Sequence, residues 1–228
     1  MHGRTASKEL DPGRYLRWVR AGIAACAIDL PGHGERADAR LQQAVQTIEV
    51  IARAIDELDT VVDALADPRW NGAFDTSRIA IGGMSAGGMV ALARLCRPHR
   101  FVAAAVEGTA GNYDFMRARG LWNSPLADSL EPIRHVNQWR PIPLLALHSE
   151  ADQWVPVSAI RTFTEALCPL YEAGGASPDL VELHTWPSTG APNEHYGFGR
   201  VSNDAKNLQT QWLARVLADG PPGSANRP

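Results

Sequence analysis

Cysteine is scarce in this chain, and what there is cannot pair locally. Cys26, Cys96 and Cys168 are the three cysteines in 228 residues. Their odd number and wide spacing leave no CxxC unit for a zinc ribbon or a redox dithiol. Each lies among apolar neighbours and reads as a small buried hydrophobe. An excess of one charge is also missing: the formal net charge is -3, which gives no reason to expect nucleic acid or an anionic membrane as partner. The densest acidic stretch, Asp56, Glu57 and Asp59, falls inside a helical pattern and reads as a solvated face. No apolar run approaches the roughly 18 residues of a membrane span, and the basic-then-apolar layout of a secretory signal is lacking. These absences point to a reduced, cytoplasmic protein. The histidines and carboxylates form no H-x-H, H-x-x-x-H or clustered pattern, so neither a metal nor another cofactor is expected.

What is present is an alternation of apolar runs and amphipathic stretches, in a chain of one-domain length whose residues are 45% hydrophobic. "GIAACAIDL" (22–30), ended by the turn "PGHG", reads as a strand buried on both faces. In the next stretch Leu41, Val45, Ile48, Ile51, Ile55, Leu58, Val62 and Leu65 recur every three or four residues, which predicts one long helix ending at Pro68. Further strands are predicted at 78–83, 101–108, 142–149 and 179–187. Helices are predicted from Ala86 to about Arg97, across "VSAIRTFTEALCPLYEAGG" up to Gly174, and from about Asn203 to Leu217. Strands alternating with helices mean βαβ units, hence an α/β fold with a mostly parallel sheet and helices on both faces. Residues 109–140 are irregular and Pro-broken, and read as a cap-like loop region with short helices. Residues 1–217 thus form one domain, and 218–228, rich in Pro and Gly, read as a disordered tail.

The chemistry centres on Gly83-Met84-Ser85-Ala86-Gly87, a G-x-S-x-G match. The five letters alone are weak, but they lie between an apolar strand and a helix, the setting that lifts a serine onto a tight turn at the sheet's C-terminal edge. Small residues two before and two after the serine let strand and helix approach closely, and the amide of Ala86 at the helix N-terminus faces the site. A serine hydroxyl becomes a useful nucleophile when a histidine takes its proton and a carboxylate fixes that histidine's tautomer. "HSEADQWVP" supplies Glu150 and Asp152 just after a strand, and "PNEHYGF" supplies His195 in a loop after the last strand. The order serine, acid, histidine is that of a nucleophile-elbow hydrolase, and both loops fall where open α/β sheets bind ligands. Met84 flanks the serine. Trp154, two residues beyond Asp152, and Tyr196, beside His195, are the aromatic candidates for substrate-pocket walls. His33 reads as a turn residue at the sheet edge, and His148 and His184 as packed strand residues.

On "DLPGHGER", "DTSRIAIGGMSAGG", "HSEADQWVP" and "EHYGF", which together span almost the whole chain, the sequence resembles the α/β-hydrolase superfamily. It is most similar to small esterases related to dienelactone hydrolases and to the catalytic domains of prolyl oligopeptidases. The resemblance implies Ser85 as nucleophile, Asp152 rather than Glu150 as the acid, because "D-x-x-V-P" is the matching segment, and His195 as the base. It implies a small-molecule ester as substrate. A peptidase or thioesterase would use the same three residues, but the chain has no room for the propeller that peptidase relatives carry. A non-catalytic hydrolase fold is the reading from another class. The loop "STGAPNEHYGF" departs from the resembled pattern in being longer and more polar.

The resemblance also gives meaning to the first residues. In such proteins a His-Gly pair ends the third strand, one helix before the "D-x-P-G-H-G" strand. His2-Gly3 stands at that place and is expected beside the substrate. The amide of Arg4, or alternatively of Thr5, is then the second oxyanion donor beside that of Ala86. On this reading the fold lacks its N-terminal strands, an edge hairpin and the third strand. That third strand would lie between 22–30 and 78–83, so its absence leaves a gap inside the sheet. The expectation that follows is that Met1 is an internal methionine, with the natural start roughly 25–30 residues earlier, or that the chain is a fragment of compromised activity.

Overall fold

A computed structural model describes residues 1–121 and 125–218; residues 219–228, most of the expected tail, lie outside the described residues. Four strands, β1 (Ala80–Met84), β2 (Ala103–Glu107), β3 (Leu144–Ser149) and β4 (Val181–Trp186), form one parallel sheet in the order β1-β2-β3-β4. The register places Gly82 opposite Ala105, Val106 opposite Ala146, and Ala146 opposite Leu183. β2 and β3 are buried along their whole length, as continuous apolar runs require in the middle of a parallel sheet.

Seven helices accompany the strands among the described residues: α1 (Pro12–Arg20), α2 (Thr47–Leu65), α3 (Ala86–Leu95), α4 (Asp114–Ala118), α5 (Pro125–Leu130), α6 (Ser158–Ala173) and α7 (Ser202–Ala218). Strand residues alternate between two cores, as the two-residue period dictates. Ala104, Val106, Leu144 and Ala146 face one way and pack with α2, α3 and α6. Ala103, Ala105, Leu145 and Leu147 face the other and meet Ala205, Trp212 and Leu213 of α7, with Trp18 of α1 beside them. Helices therefore cover both faces. The long helix predicted from Leu41 onward begins at Thr47, later than its periodicity suggests, with Leu41 buried ahead of it in a turn region. Residues 109–140 hold α4, α5 and a 3-10 stretch over Pro132–Gln138, as the broken pattern indicates.

One expected strand does not form. Residues 22–30 carry no strand assignment, and Ala24, Ala25 and Cys26 are exposed. The buried role expected for Cys26 is therefore corrected, while Cys96 is buried and Cys168 intermediate. The physical reason is a missing neighbour. Among the described residues β1 pairs only with β2, and its other edge faces 22–30 across a cavity of about 1170 Å³. An apolar run becomes a strand only when another strand takes its backbone groups. What does bridge this gap is the start of the chain. The Met1 amino group donates to Gly82 O at 2.8 Å, and Met84 N–H donates to Met1 O at 3.0 Å. The N-terminal strands of the hydrolase fold are absent from the described residues, as expected.

The far side of the sheet is locked by a buried phenol. Tyr171 on α6 donates to Ile142 O (2.5 Å) and accepts from Ile142 N–H (3.2 Å) and Trp139 Nε1–H (3.0 Å), tying the helix to the segment that enters β3. Tyr171→Phe strands these partners in a dry core. Urea unfolding is expected to show a loss of about 1–3 kcal/mol, the cost of leaving buried groups unsatisfied.

Candidate active site

β1 delivers Ser85 at its C-terminal end, and α3 begins one residue later. Ser85 sits at φ +52°, ψ -120°, a region that costs a residue with a Cβ about 1–3 kcal/mol and is held by its surroundings. The hold is visible. Ser85 N–H donates to Glu107 O at 2.8 Å, and the Thr109 hydroxyl donates to Ser85 O at 2.8 Å. The glycines of the motif serve close approach. A Cβ on Gly83 would stand 2.4 Å from the carbonyl carbon of Gly87, and one on Gly87 would stand 2.4 Å from His2 O and 2.6 Å from Met1 O. No side chain fits in either gap.

His195 comes to the serine from the loop after β4, and Asp152 from the loop after β3. His195 Nε2 lies 3.0 Å from Ser85 Oγ, and its Nδ1 lies 2.7 Å from Asp152 Oδ2. Asp152 and His195 are both buried. The other carboxylate oxygen, Oδ1, accepts from the amides of Trp154 and Val155, each at 2.8 Å, which fixes the acid's rotamer. Glu150, the rival acid, is exposed and instead accepts from the Thr185 hydroxyl at 2.8 Å. His148 is buried under the acid, 3.5 Å from Asp152 Oδ2, and its Nε2 meets Val155 O at 2.9 Å. Burial lowers its pKa, so it stays neutral beneath the carboxylate.

The N-terminal loop completes the cluster. A Cβ on Gly3 would lie 3.2 Å from Ser85 Cβ, so the backbone of Gly3 is packed against the serine. Ala6 N–H closes a turn onto Gly3 O at 3.3 Å, with Thr5 at φ +64°. The amides of Arg4, Thr5 and Ala86 have no hydrogen-bond acceptor among the described residues. His2 is largely buried at the edge of the cavity that Ser85 also lines. Its Nε2 accepts from Leu30 N–H at 2.9 Å and its Nδ1 donates to Gly3 O at 2.7 Å, which together set the tautomer. Burial lowers its pKa, consistent with a neutral ring. The Arg4 guanidinium donates to Gln42 O at 3.0 Å and stands 6.0 Å from the Trp154 ring.

Trp154 and Tyr196 remain 38% and 46% exposed, stand edge to face at 5.8 Å, and both flank the His195 ring. They form an aromatic rim at the mouth of the site, with Arg119 holding the Trp154 and Gln153 carbonyls from outside. Met84 lines the cavity beside β1 together with Ser85, His195 and Tyr196.

One positioning residue escapes sequence reasoning. Glu194, directly before the histidine, accepts from the Thr189 amide (2.6 Å) and hydroxyl (2.8 Å), the Ser149 hydroxyl (2.8 Å) and the Gly190 amide (2.8 Å). It thereby pins the polar loop that carries His195 to the end of β3. A carboxylate beside a histidine gives no sign of this, because Ser149 lies 45 residues away in sequence.

Comparison with known proteins places the chain in a family. The model of the Alpha/beta hydrolase family matches residues 1–223, and the chain belongs to that family. Among solved structures, it is similar to a protein of Klebsiella pneumoniae subsp. pneumoniae MGH 78578 provisionally named dienelactone hydrolase. That match has 19% identity and a TM-score of 0.68 over 94% of this chain and 84% of the other. The esterase Pf2001 of Pyrococcus furiosus matches at 21% identity and TM-score 0.62, over 96% of this chain and 81% of its own. An acylaminoacyl peptidase of Pyrococcus horikoshii matches at 18% identity and TM-score 0.57, over 78% of this chain but only 29% of that one. At these identities the structural likeness concerns the fold. No curated protein matches the sequence. Among the described residues, no helix is long and apolar enough to cross a membrane, and no group of three or more His, Cys, Asp or Glu is placed to hold a metal ion.

The four donors to Glu194 push its carboxyl from the ordinary 4.5 down to about 2, the Thr189 amide contributing most and the Ser149 hydroxyl next. The folded state therefore releases this proton more readily than the unfolded one. The resulting stabilisation is complete above about pH 5 and fades as pH falls toward about 2. Glu194→Gln removes it. The gap in melting temperature between wild type and variant is expected to be constant above pH 5 and to close progressively below 4.5, as followed by circular dichroism.

Proposed function

We propose that the protein is a serine hydrolase that cleaves carboxylic esters through an acyl-enzyme. The observation that carries this reading is the continuous hydrogen-bonded chain from Ser85 through His195 to buried Asp152. In the proposed cycle Ser85 Oγ attacks the ester carbonyl while His195 Nε2 takes its proton. Asp152 holds the tautomer with its proton on Nδ1 and stabilises the imidazolium. The tetrahedral oxyanion collapses, His195 returns the proton to the leaving alcohol, and water activated by the same imidazole releases the acid. The oxyanion is assigned to the amide of Ala86, at the start of α3, and to that of Arg4, the residue after the Gly3 that packs on Ser85. Preorganised donors of this kind contribute about 3–4 kcal/mol each. The aromatic rim of Trp154 and Tyr196 suits an apolar group on the substrate.

Ester cleavage is preferred to peptide cleavage because the site opens beside the exposed aromatic side chains of Trp154 and Tyr196, which suit a compact apolar group. The likeness to the acylaminoacyl peptidase covers under a third of that protein and does not carry its specificity over. A fluorophosphonate probe is expected to label wild-type protein at Ser85, and Ser85→Ala is expected to remain unlabelled. Asp152→Asn, which leaves the histidine in the wrong tautomer, is expected to lower kcat on nitrophenyl acetate by about 10⁴ with little change in KM. A clear preference for peptide anilides over short nitrophenyl esters would overturn the ester assignment. Absence of Ser85 labelling in folded protein would overturn the enzyme reading.

A further inference from the structure

β2 offers little side-chain bulk to hold it in place. Ala103, Ala104 and Ala105 make up most of it, and all three are buried. A methyl group cannot interlock deeply with the helices on either face, so packing alone does little to fix where the strand ends. The strand closes on a charge instead. Glu107 follows Ala103 and Ala105 in the two-residue period and points to the side of α1 and α7. There its Oε1 accepts from Arg14 Nη1 of α1 and from Gln209 Nε2 of α7, the latter at 2.9 Å. Arg14 also donates to Gln209 Oε1 at 2.6 Å and to Asp11 Oδ2 at 3.1 Å, and Lys206 Nζ stands 2.8 Å from Asp11 Oδ1. Glu107, Arg14 and Gln209 are all buried.

A buried ion pair is a poor device for stability alone. Desolvating two charges offsets most of their attraction, and well-packed apolar replacements are often as good. What the cluster does supply is position: it ties the C-terminal end of β2 to two helices at once. The backbone at that end touches every member of the serine, histidine and acid cluster. Glu107 O accepts from the Ser85 amide at 2.8 Å. Gly108 follows at φ +49°, and a Cβ on it would stand 3.6 Å from His195 Nδ1 and 3.7 Å from Asp152 Oδ2, so its backbone packs against both. The Thr109 hydroxyl then donates to Ser85 O at 2.8 Å. Residues 107–109 thus hold Ser85 by its amide and its carbonyl while they abut His195 and Asp152.

We infer that Glu107 is a positioning residue for the proposed active site: its buried carboxylate, clamped by Arg14 and Gln209, holds residues 107–109 where they set Ser85 against His195. The link to catalysis rests on the serine-hydrolase reading, whereas the anchoring of the Ser85 turn does not. Glu107 acts through its own carbonyl and through the two residues after it. Without the carboxylate, the end of β2 is free to shift, and the bond that steadies Ser85 at its unfavourable φ of +52° loosens. The other end of the β1–β2 pair takes no part in the cluster. There Val102 N–H donates to Ile79 O at 2.9 Å, which provides an internal reference.

The test compares the full chain with Glu107→Ala and with Glu107→Gln, which keeps an oxygen for both donors. Amide hydrogen exchange, read by NMR, needs no hydrolysis. In Glu107→Ala the Ser85 amide is expected to exchange about tenfold or more faster relative to that of Val102. Fluorophosphonate labelling of Ser85 is expected to slow by about tenfold, at a temperature where circular dichroism shows the variant fully folded. Glu107→Gln is expected to bring both readouts within about threefold of wild type. Exchange at Ser85 and Val102 rising together overturns the proposal, because a merely structural loss weakens both ends of the strand pair. Unchanged labelling of folded Glu107→Ala does the same. So does a Gln variant that behaves like the Ala variant, since the effect then follows the charge and not the anchor. If wild type itself is not labelled, the hydrolase reading falls, and the exchange comparison still decides the anchoring. If Glu107→Ala does not fold, Gln209→Leu removes one of the two donors instead. A shift of about threefold or more in the Ser85-to-Val102 exchange ratio supports the proposal, and no shift overturns it.

Discussion

The candidate site depends on a three-way backbone contact among the start of the chain, the end of β1 and the first turn of α3. Gly87 lets the carbonyls of Met1 and His2 come within reach of α3, and Gly83 lets α3 come within reach of β1. Met1 is clamped to β1 on the same stretch. With no side chains to yield, these contacts fix the height at which Ser85 stands above the sheet and the place of the loop after Gly3. The unfavourable φ of Ser85 is then a consequence. The chain must turn within one residue from a strand into a helix whose N-terminus is already located by its neighbours.

Much of this was legible in the sequence, for a reason that also marks where legibility stops. β1 to β4 each appear as short apolar runs between turn residues, and every one of them has at least one strand to pair with. The run at 22–30 is as apolar as any of them and is no strand in the structure. A strand is a relation between two segments, and apolar composition reports burial preference without reporting whether a partner exists. The exposure of Cys26 follows from the same missing relation. The long helix begins late for a related cause: Leu41 is buried as its period demands, but it packs from a turn, which hydrophobic spacing alone does not distinguish from a helical position.

The site residues divide in the same way. The meeting of Ser85 and His195 was legible because strand, turn and loop context brings both to the C-terminal edge of the sheet. The choice of Asp152 over Glu150 rested on a resembled segment, and the geometry supplies its physical counterpart. Asp152 is short enough to accept the amides of Trp154 and Val155 while meeting His195, whereas Glu150 turns outward to Thr185. Glu194 was not legible in this sense. Its partners Thr189 and Gly190 are close in sequence, but the bond to Ser149 that ties the histidine loop to the sheet exists only once β3 and β4 are side by side.

These anchors give the two halves of the site different mechanical footings. Asp152 and His195 stand on the complete half of the sheet, where β2 and β3 are fully buried and Glu194 gathers four hydrogen bonds. The proposed oxyanion loop stands on the incomplete half. It is held by the two bonds of Met1, by His2 reaching Leu30, and by Asp29, which accepts from the Lys8 amide at 2.8 Å and lies 3.2 Å from the Lys8 ammonium. Every one of those contacts joins the N-terminal segment either to β1 or to the end of 22–30, the two rims of the cavity. The geometry of the loop packed against Ser85 is therefore coupled to the spacing of those rims, while the hydrogen bond between Asp152 and His195 is not. In the proposed mechanism, general-base chemistry and oxyanion stabilisation draw on separate parts of the scaffold, and the second is the part whose support runs through an unfilled gap in the sheet.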